Sequence, residues 1–209
     1  MRIAKEFDRI INAVILSAIF LFITDCGNGG RSNAGSGTGA GTVQPSGQFN
    51  PGISFYEAAM NGRHDLVMQY IEKGTDVNQR DSEGRTALMY AAYNGHIEVL
   101  MRLISKGADV NLQDNYGRTA LMMAASGPFP QALKLLLDNG AMPDVADKDE
   151  HYTALMYAAA EGQLENVKIL LSFKANPALK DADGDDAITF AVKNGHKEVA
   201  EILRQAIKK

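Results

Sequence analysis

The chain of 209 residues has one cysteine, Cys26, so no disulfide can form within it. It also has no basic cluster: 21 Lys and Arg stand against 25 Asp and Glu, for a net charge of −4. Nucleic-acid binding requires Lys and Arg patches that neutralise phosphates, and that class is excluded. There is no P-loop, no pair of catalytic carboxylates and no nucleophile motif, so nothing points to an enzyme. The four histidines, His64, His96, His151 and His196, never come close in sequence, and neither a metal site nor a cofactor is expected. The longest apolar run, residues 10–24, has fifteen residues, short of the ~20 that a membrane-spanning helix needs.

What the chain does have is a near-repeated heptapeptide. Thr-Ala-Leu-Met-Tyr-Ala-Ala at 86–92 returns as Thr-Ala-Leu-Met-Met-Ala-Ala at 119–125 and as Thr-Ala-Leu-Met-Tyr-Ala-Ala at 153–159, in steps of 33 and 34 residues. The Ala58-Ala59 pair precedes the series by one step, and Ala191-Val192 follows it. Glycines recur in register at Gly62, Gly95, Gly162 and Gly195, then at Gly74, Gly107 and Gly140. Asp recurs at Asp81, Asp114, Asp147 and Asp181. A period of this size marks a stack of small units, each burying its apolar face only against a neighbour.

One unit shows the physical logic. Asp81-Ser82-Glu83-Gly84 reads as a hairpin-like turn with Gly84 at positive φ. Thr86 caps a short helix carrying Leu88, Ala91 and Ala92, and the small alanines allow close helix approach. Gly95 breaks that helix. His96 to Lys106 forms a second one, with Val99, Leu100, Leu103 and Ile104 on its apolar face, and Gly107 closes it in left-handed geometry. The unit Asp-x-x-Gly-x-Thr-Ala-Leu-x-x-Ala-Ala-x-x-Gly, closed by Gly-Ala-Asp-Val-Asn at 107–111, resembles the ankyrin repeat. The resemblance covers residues 51–209. It implies an all-α solenoid of about five helix-turn-helix units with short hairpin loops, at approximately 51–80, 81–113, 114–146, 147–180 and 181–209. Met89, Met122 and Met156 replace the family's His, so capping is expected to rest on Thr86, Thr119 and Thr153 alone. His96 and His196 read as helix-start residues.

The first fifty residues differ in kind. Residues 1–25 combine Arg2, Lys5 and Arg9 with the apolar run and suit an export signal. Ile23-Thr24-Asp25-Cys26-Gly27 resembles a bacterial lipoprotein processing site, which implies a lipid on Cys26. Asp25 departs from the small residue usual before that cysteine. Residues 27–52 hold nine glycines among twenty-six residues and read as a flexible linker. Its root-mean-square reach is about 28 Å, from ~5–6 Å times the square root of its length.

Ankyrin proteins usually bind through hairpin tips and the exposed end of the first helix. By register, the resemblance nominates Arg80, Ser82, Glu83, Arg85, Tyr93 and Asn94 in the second unit, and Gln113, Asn115, Tyr116, Arg118 and Ser126 in the third. It adds Tyr152 in the fourth, and Lys180, Asp183, Asp185 and Lys193 in the fifth. Tyr93, Tyr116 and Tyr152 lead the set, because exposed tyrosine is enriched at binding hot spots.

Two units break the pattern. In Ser126-Gly127-Pro128-Phe129-Pro130, Pro128 takes the glycine place and cannot adopt positive φ. Gly127 is expected to end the first helix early and Pro130 to start the second. Phe129 either tucks under neighbouring helices, the favoured arrangement, or stands as an exposed anchor. The fourth unit carries an extra residue in Asp147-Lys148-Asp149-Glu150-His151-Tyr152 and has Lys174 where others have the capping glycine. Asp149, Glu150, Asp183, Asp185 and Asp186 gather on the last two hairpins, an acidic patch suited to a basic partner. Asp181-Ala182-Asp183-Gly184-Asp185-Asp186 has the wrong order for a calcium loop, and Gly184 stands in hairpin register. A polar outer face is expected on the last unit.

These features describe a monomeric, non-catalytic protein-binding module in a bacterial cell envelope, anchored to a membrane through Cys26 and facing the periplasm or outer membrane. Similar bacterial proteins suggest a toxin neutraliser or a helper of an envelope or oxidative-stress enzyme. A structural spacer within an envelope complex is the alternative.

Overall fold

A computed structural model describes residues 52–208. The expected signal peptide, Cys26 and all but the last residue of the expected linker lie outside the described residues. The described chain forms ten helices in five pairs: α1 (Phe55–Met60) and α2 (His64–Glu72), α3 (Ala87–Tyr93) and α4 (Ile97–Ser105), α5 (Ala120–Ser126) and α6 (Pro130–Asp138), α7 (Ala154–Ala160) and α8 (Leu164–Ser172), α9 (Ala187–Lys193) and α10 (Lys197–Ile207). Each first helix packs on the first helices of its neighbours and each second helix on the neighbouring second helices. The result is the all-α repeat solenoid that the register implies.

Capping follows the sequence, with one correction. Thr86, Thr119 and Thr153 each take an extended conformation and accept from the N–H of Met89, Met122 and Met156. Thr is not alone in this. In the second and fourth units the Met sulfur accepts from the Thr N–H at 3.5 Å, closing a capping box. Thioether sulfur is a weak acceptor, yet here it replaces the family's imidazole. In the fifth unit Asp186 is the cap, accepting from Thr189 N–H at 2.8 Å.

The core is a line of equivalent positions. Ala59, Ala92, Ala125 and Ala159 are fully buried, as are Val99, Leu100 and Leu103 on α4. Burying one such aliphatic side chain is worth about 1.5–3 kcal/mol. In the second and fifth units the residue opening the second helix also bridges repeats. His96 Nε2 bonds Met60 O at 2.8 Å, and His196 Nε2 bonds Ala160 O at 3.0 Å. Phe129 holds the same place in the third unit and lies over Gly95, where a Cβ would come within 2.2 Å of its ring. It is therefore tucked rather than displayed. Pro130 starts α6 as expected, but α5 does not end early: it has the same seven residues as α3.

Lys174 and His151 are the non-glycine residues at positive φ among those described, at 65° and 61°. Lys174 keeps the left-handed cap of Gly74, Gly107 and Gly140, and so carries the backbone strain that glycine avoids. The last unit exposes mostly polar residues, among them Lys193, Lys197, Glu198, Glu201, Arg204 and Gln205, with Val192 at 52% and Ile207 at 47% as its exposed large apolar side chains.

Candidate interaction surface

The hairpins are built around the register Asp. Asp81 Oδ1 accepts from the N–H groups of Glu83 and Arg85 at 2.9 and 2.8 Å. Asp114 does the same for Tyr116 and Arg118, and Asp181 for Asp183 and Asp185. In the fourth unit the extra residue shifts the partners of Asp147 to Glu150 and Tyr152. The Asp181 loop is thus a hairpin whose carboxylate is engaged by its own backbone.

The second carboxylate oxygen ties hairpin to helix. Asp81 Oδ2 accepts from Tyr90 Oη at 2.6 Å and Arg85 Nε at 3.2 Å. Asp114 Oδ2 takes Arg118 Nε and Nη2 at 2.8 and 2.7 Å, and Asp147 Oδ2 takes Tyr157 Oη at 3.0 Å. Desolvation in these sites pushes the Tyr90 and Tyr157 phenols up, and the adjoining carboxylates add to the shift.

Neighbouring hairpins are also bonded to each other. Asn115 N–H donates to Glu83 O at 3.0 Å, Lys148 N–H to Tyr116 O at 2.8 Å, and Ala182 N–H to Glu150 O at 2.9 Å. Side chains reinforce the row. Asn115 Nδ2 donates to Ser82 O at 3.0 Å, Lys148 Nζ to Asn115 O at 3.2 Å, and Tyr116 Oη to Glu83 at 3.1 Å. The four hairpins therefore form one continuous strip.

The nominated residues divide on this geometry. Arg80, Asn115, Tyr116, Asp149, Glu150, Lys180 and Asp183 are exposed along the strip, with Ser82, Lys148 and His151 beside them. Arg85 and Arg118 are corrected: 9% and 6% exposed, they turn inward onto Asp81 and Asp114 and are structural ion pairs. Tyr152 occupies the same register and is also corrected. It is half-buried, edge-on to Tyr157 at 5.8 Å and Phe190 at 5.3 Å, and burial pushes its phenol up to about 12. Asn94 caps α3 and donates to Tyr90 O at 3.2 Å, while Gln113 donates to Gly117 O at 2.8 Å. Tyr93 and Ser126 are half-buried, and Phe129 is tucked. Asp185 is held by Lys193, and Asp186 is a helix cap. The acidic patch thus contracts to Asp149, Glu150 and Asp183. Sequence reasoning missed Lys148, whose exposed stem bridges two hairpins.

No curated protein matches the chain. The family model described as ankyrin repeats, three copies, matches residues 55–149 and 122–209. Repeats of this kind generally mediate protein–protein interaction and are typically non-catalytic. The chain belongs to the ankyrin-repeat family.

Proposed function

We propose that the chain is a stoichiometric protein-binding module of a bacterial cell envelope, held at a membrane by a lipid on Cys26 and docking a partner along its hairpin strip. The observation that carries the reading is the strip itself, where backbone bonds from Asn115, Lys148 and Ala182 fix each hairpin to the one before it. A surface already ordered loses little conformational freedom on docking, so more of the contact energy survives as affinity. Tyr116, 37% exposed and braced by Glu83 and Arg118, is the aromatic anchor. Asp149, Glu150 and Asp183 direct the C-terminal end of the strip towards a basic partner surface. The resemblance of residues 23–27 to a lipoprotein processing site supports the tether. Holding, shielding or inhibiting an envelope enzyme or an incoming toxin fits such a device.

The test is a crosslinked pull-down from envelope fractions, comparing the native chain with a Tyr116→Ala, Asp149→Lys, Glu150→Lys, Asp183→Lys variant. The native chain captures one partner in fixed ratio, with affinity that weakens as salt rises, and the variant loses it. Equal capture with unchanged salt dependence removes the strip from the reading. Mass analysis of the mature N-terminus tests the tether separately: an acylated Cys26 supports it, and a chain beginning at Met1 with a free thiol overturns it.

A further inference from the structure

The third unit contains a turn that cannot satisfy its own helix. Elsewhere the turn's N–H groups close the end of the first helix. Gly95 and His96 donate to Ala92 O and Ala91 O at 3.2 and 2.9 Å, and Gly162 and Gln163 donate to Ala159 O and Ala158 O at 3.4 and 2.8 Å. Gly195 and His196 do likewise in the fifth unit. In the third unit Pro128 has no N–H, and Gly127 is extended at φ −103° and ψ 169°. The equivalent acceptors, Ala124 O and Ala125 O, belong to residues with no exposure at all, where an unmatched carbonyl is costly.

Their donor comes from the next repeat. Asn166 on α8 directs Nδ2 to Ala124 O at 3.4 Å, Ala125 O at 3.2 Å and Gly127 O at 2.7 Å. It is 1% exposed. The same place on α2, α4, α6 and α10 holds Leu66, Val99, Ala132 and Val199, all apolar and buried. Asn166 Oδ1 has no partner among the described residues, so the surrounding carbonyls set the amide's orientation.

We propose that Asn166 is an inter-repeat strap that compensates for the Pro128 turn, and that the two residues are one device locking the third repeat to the fourth. It keeps the two halves of the hairpin strip at fixed spacing despite the broken turn. Asn166 is then dispensable once the turn is restored.

The test is a stability cycle by urea unfolding of the full chain. Asn166→Leu keeps bulk and removes the donor; Asn166→Asp keeps shape and places a carboxylate against carbonyls. Each is made in the native background and in Gly127→Asn/Pro128→Gly, which restores the Asn-Gly turn of the second unit. In the native background both variants raise the unfolding constant at least about tenfold, the scale of a buried acceptor losing its donor. Hydrogen exchange rises at α5 and α6 in the same variants. In the restored background Asn166→Leu changes the constant less than about twofold. Equal losses in both backgrounds overturn the proposal. So does a Gly127→Asn/Pro128→Gly chain less stable than its parent, since the native turn is then no defect. Gly127→Asn alone serves as control: a Cβ on the present backbone comes within 2.6 Å of the Phe129 ring, so that chain is destabilised.

Discussion

A single arginine shows how exposure divides framework from surface. Arg118 and Tyr116 sit two residues apart on one hairpin, with the guanidinium 4.8 Å from the ring centre. Arg118 is buried against Asp114, whose side chain has no exposure. Removing the cation strands a buried carboxylate that only two backbone N–H groups then serve. Arg118→Ala is expected to cost about 3 kcal/mol in urea unfolding. Tyr116→Ala loses one exposed hydrogen bond and one cation–π contact, and is expected to cost under about 1 kcal/mol while weakening partner binding. A loss of binding from Arg118→Ala at full stability would reverse these roles. The Asp-x-x-x-Arg spacing at 81–85 and 114–118 was visible in the sequence. Its meaning was not, because the guanidinium meets the carboxylate only once the hairpin brings residues 81 and 85 together. Tip register alone therefore made Arg85 and Arg118 look like surface groups.

At the scale of elements, hairpin and first helix are joined by phenols. Tyr90 and Tyr157 reach from α3 and α7 to Asp81 and Asp147, and Tyr152 packs between α7 and α9. Desolvation is the leading cause that raises all three above the ordinary value of 10.0. A raised phenol binds its proton more tightly when folded, so the unfolded chain ionises first. Stability is complete below pH 10, declines as pH rises past it, and for Tyr152 continues to decline until about 12. Urea midpoints measured from pH 8 to 12 are expected to fall only above 10. Absorbance at 295 nm should show phenols that titrate late in the folded chain. Tyr152→Phe should flatten the decline; a slope unchanged in that variant and in Tyr157→Phe would place the alkaline transition elsewhere. The alternation of units was fully legible in the spacing. These links were not, because Tyr90 and Tyr157 belong to the heptapeptide and read as frame.

Across the whole molecule, one register position changes character with its place in the stack. Ala59, Ala92, Ala125 and Ala159 have no exposure, each covered by the following unit. Val192 stands in the same register and is 52% exposed, and among the described residues no atom beyond the chain neighbours lies within 4 Å of where a Cβ on Gly195 would be. The sequence showed that alanine recurs because stacking requires small residues. That Val192 escapes the requirement depends on its neighbours, which no single unit reveals. In an array held by nearest-neighbour contacts, the cost of a substitution follows from whether the position faces another unit. Ala92→Val forces two methyl groups between α3 and α5 and is expected to cost about 1–3 kcal/mol. The reverse change, Val192→Ala, trims an exposed side chain and is expected to shift stability by less than about 0.5 kcal/mol. Urea unfolding of the two variants against the parent decides it. Similar losses in both would mean that Val192 is covered in the native protein and that the fifth unit's outer face has a partner of its own.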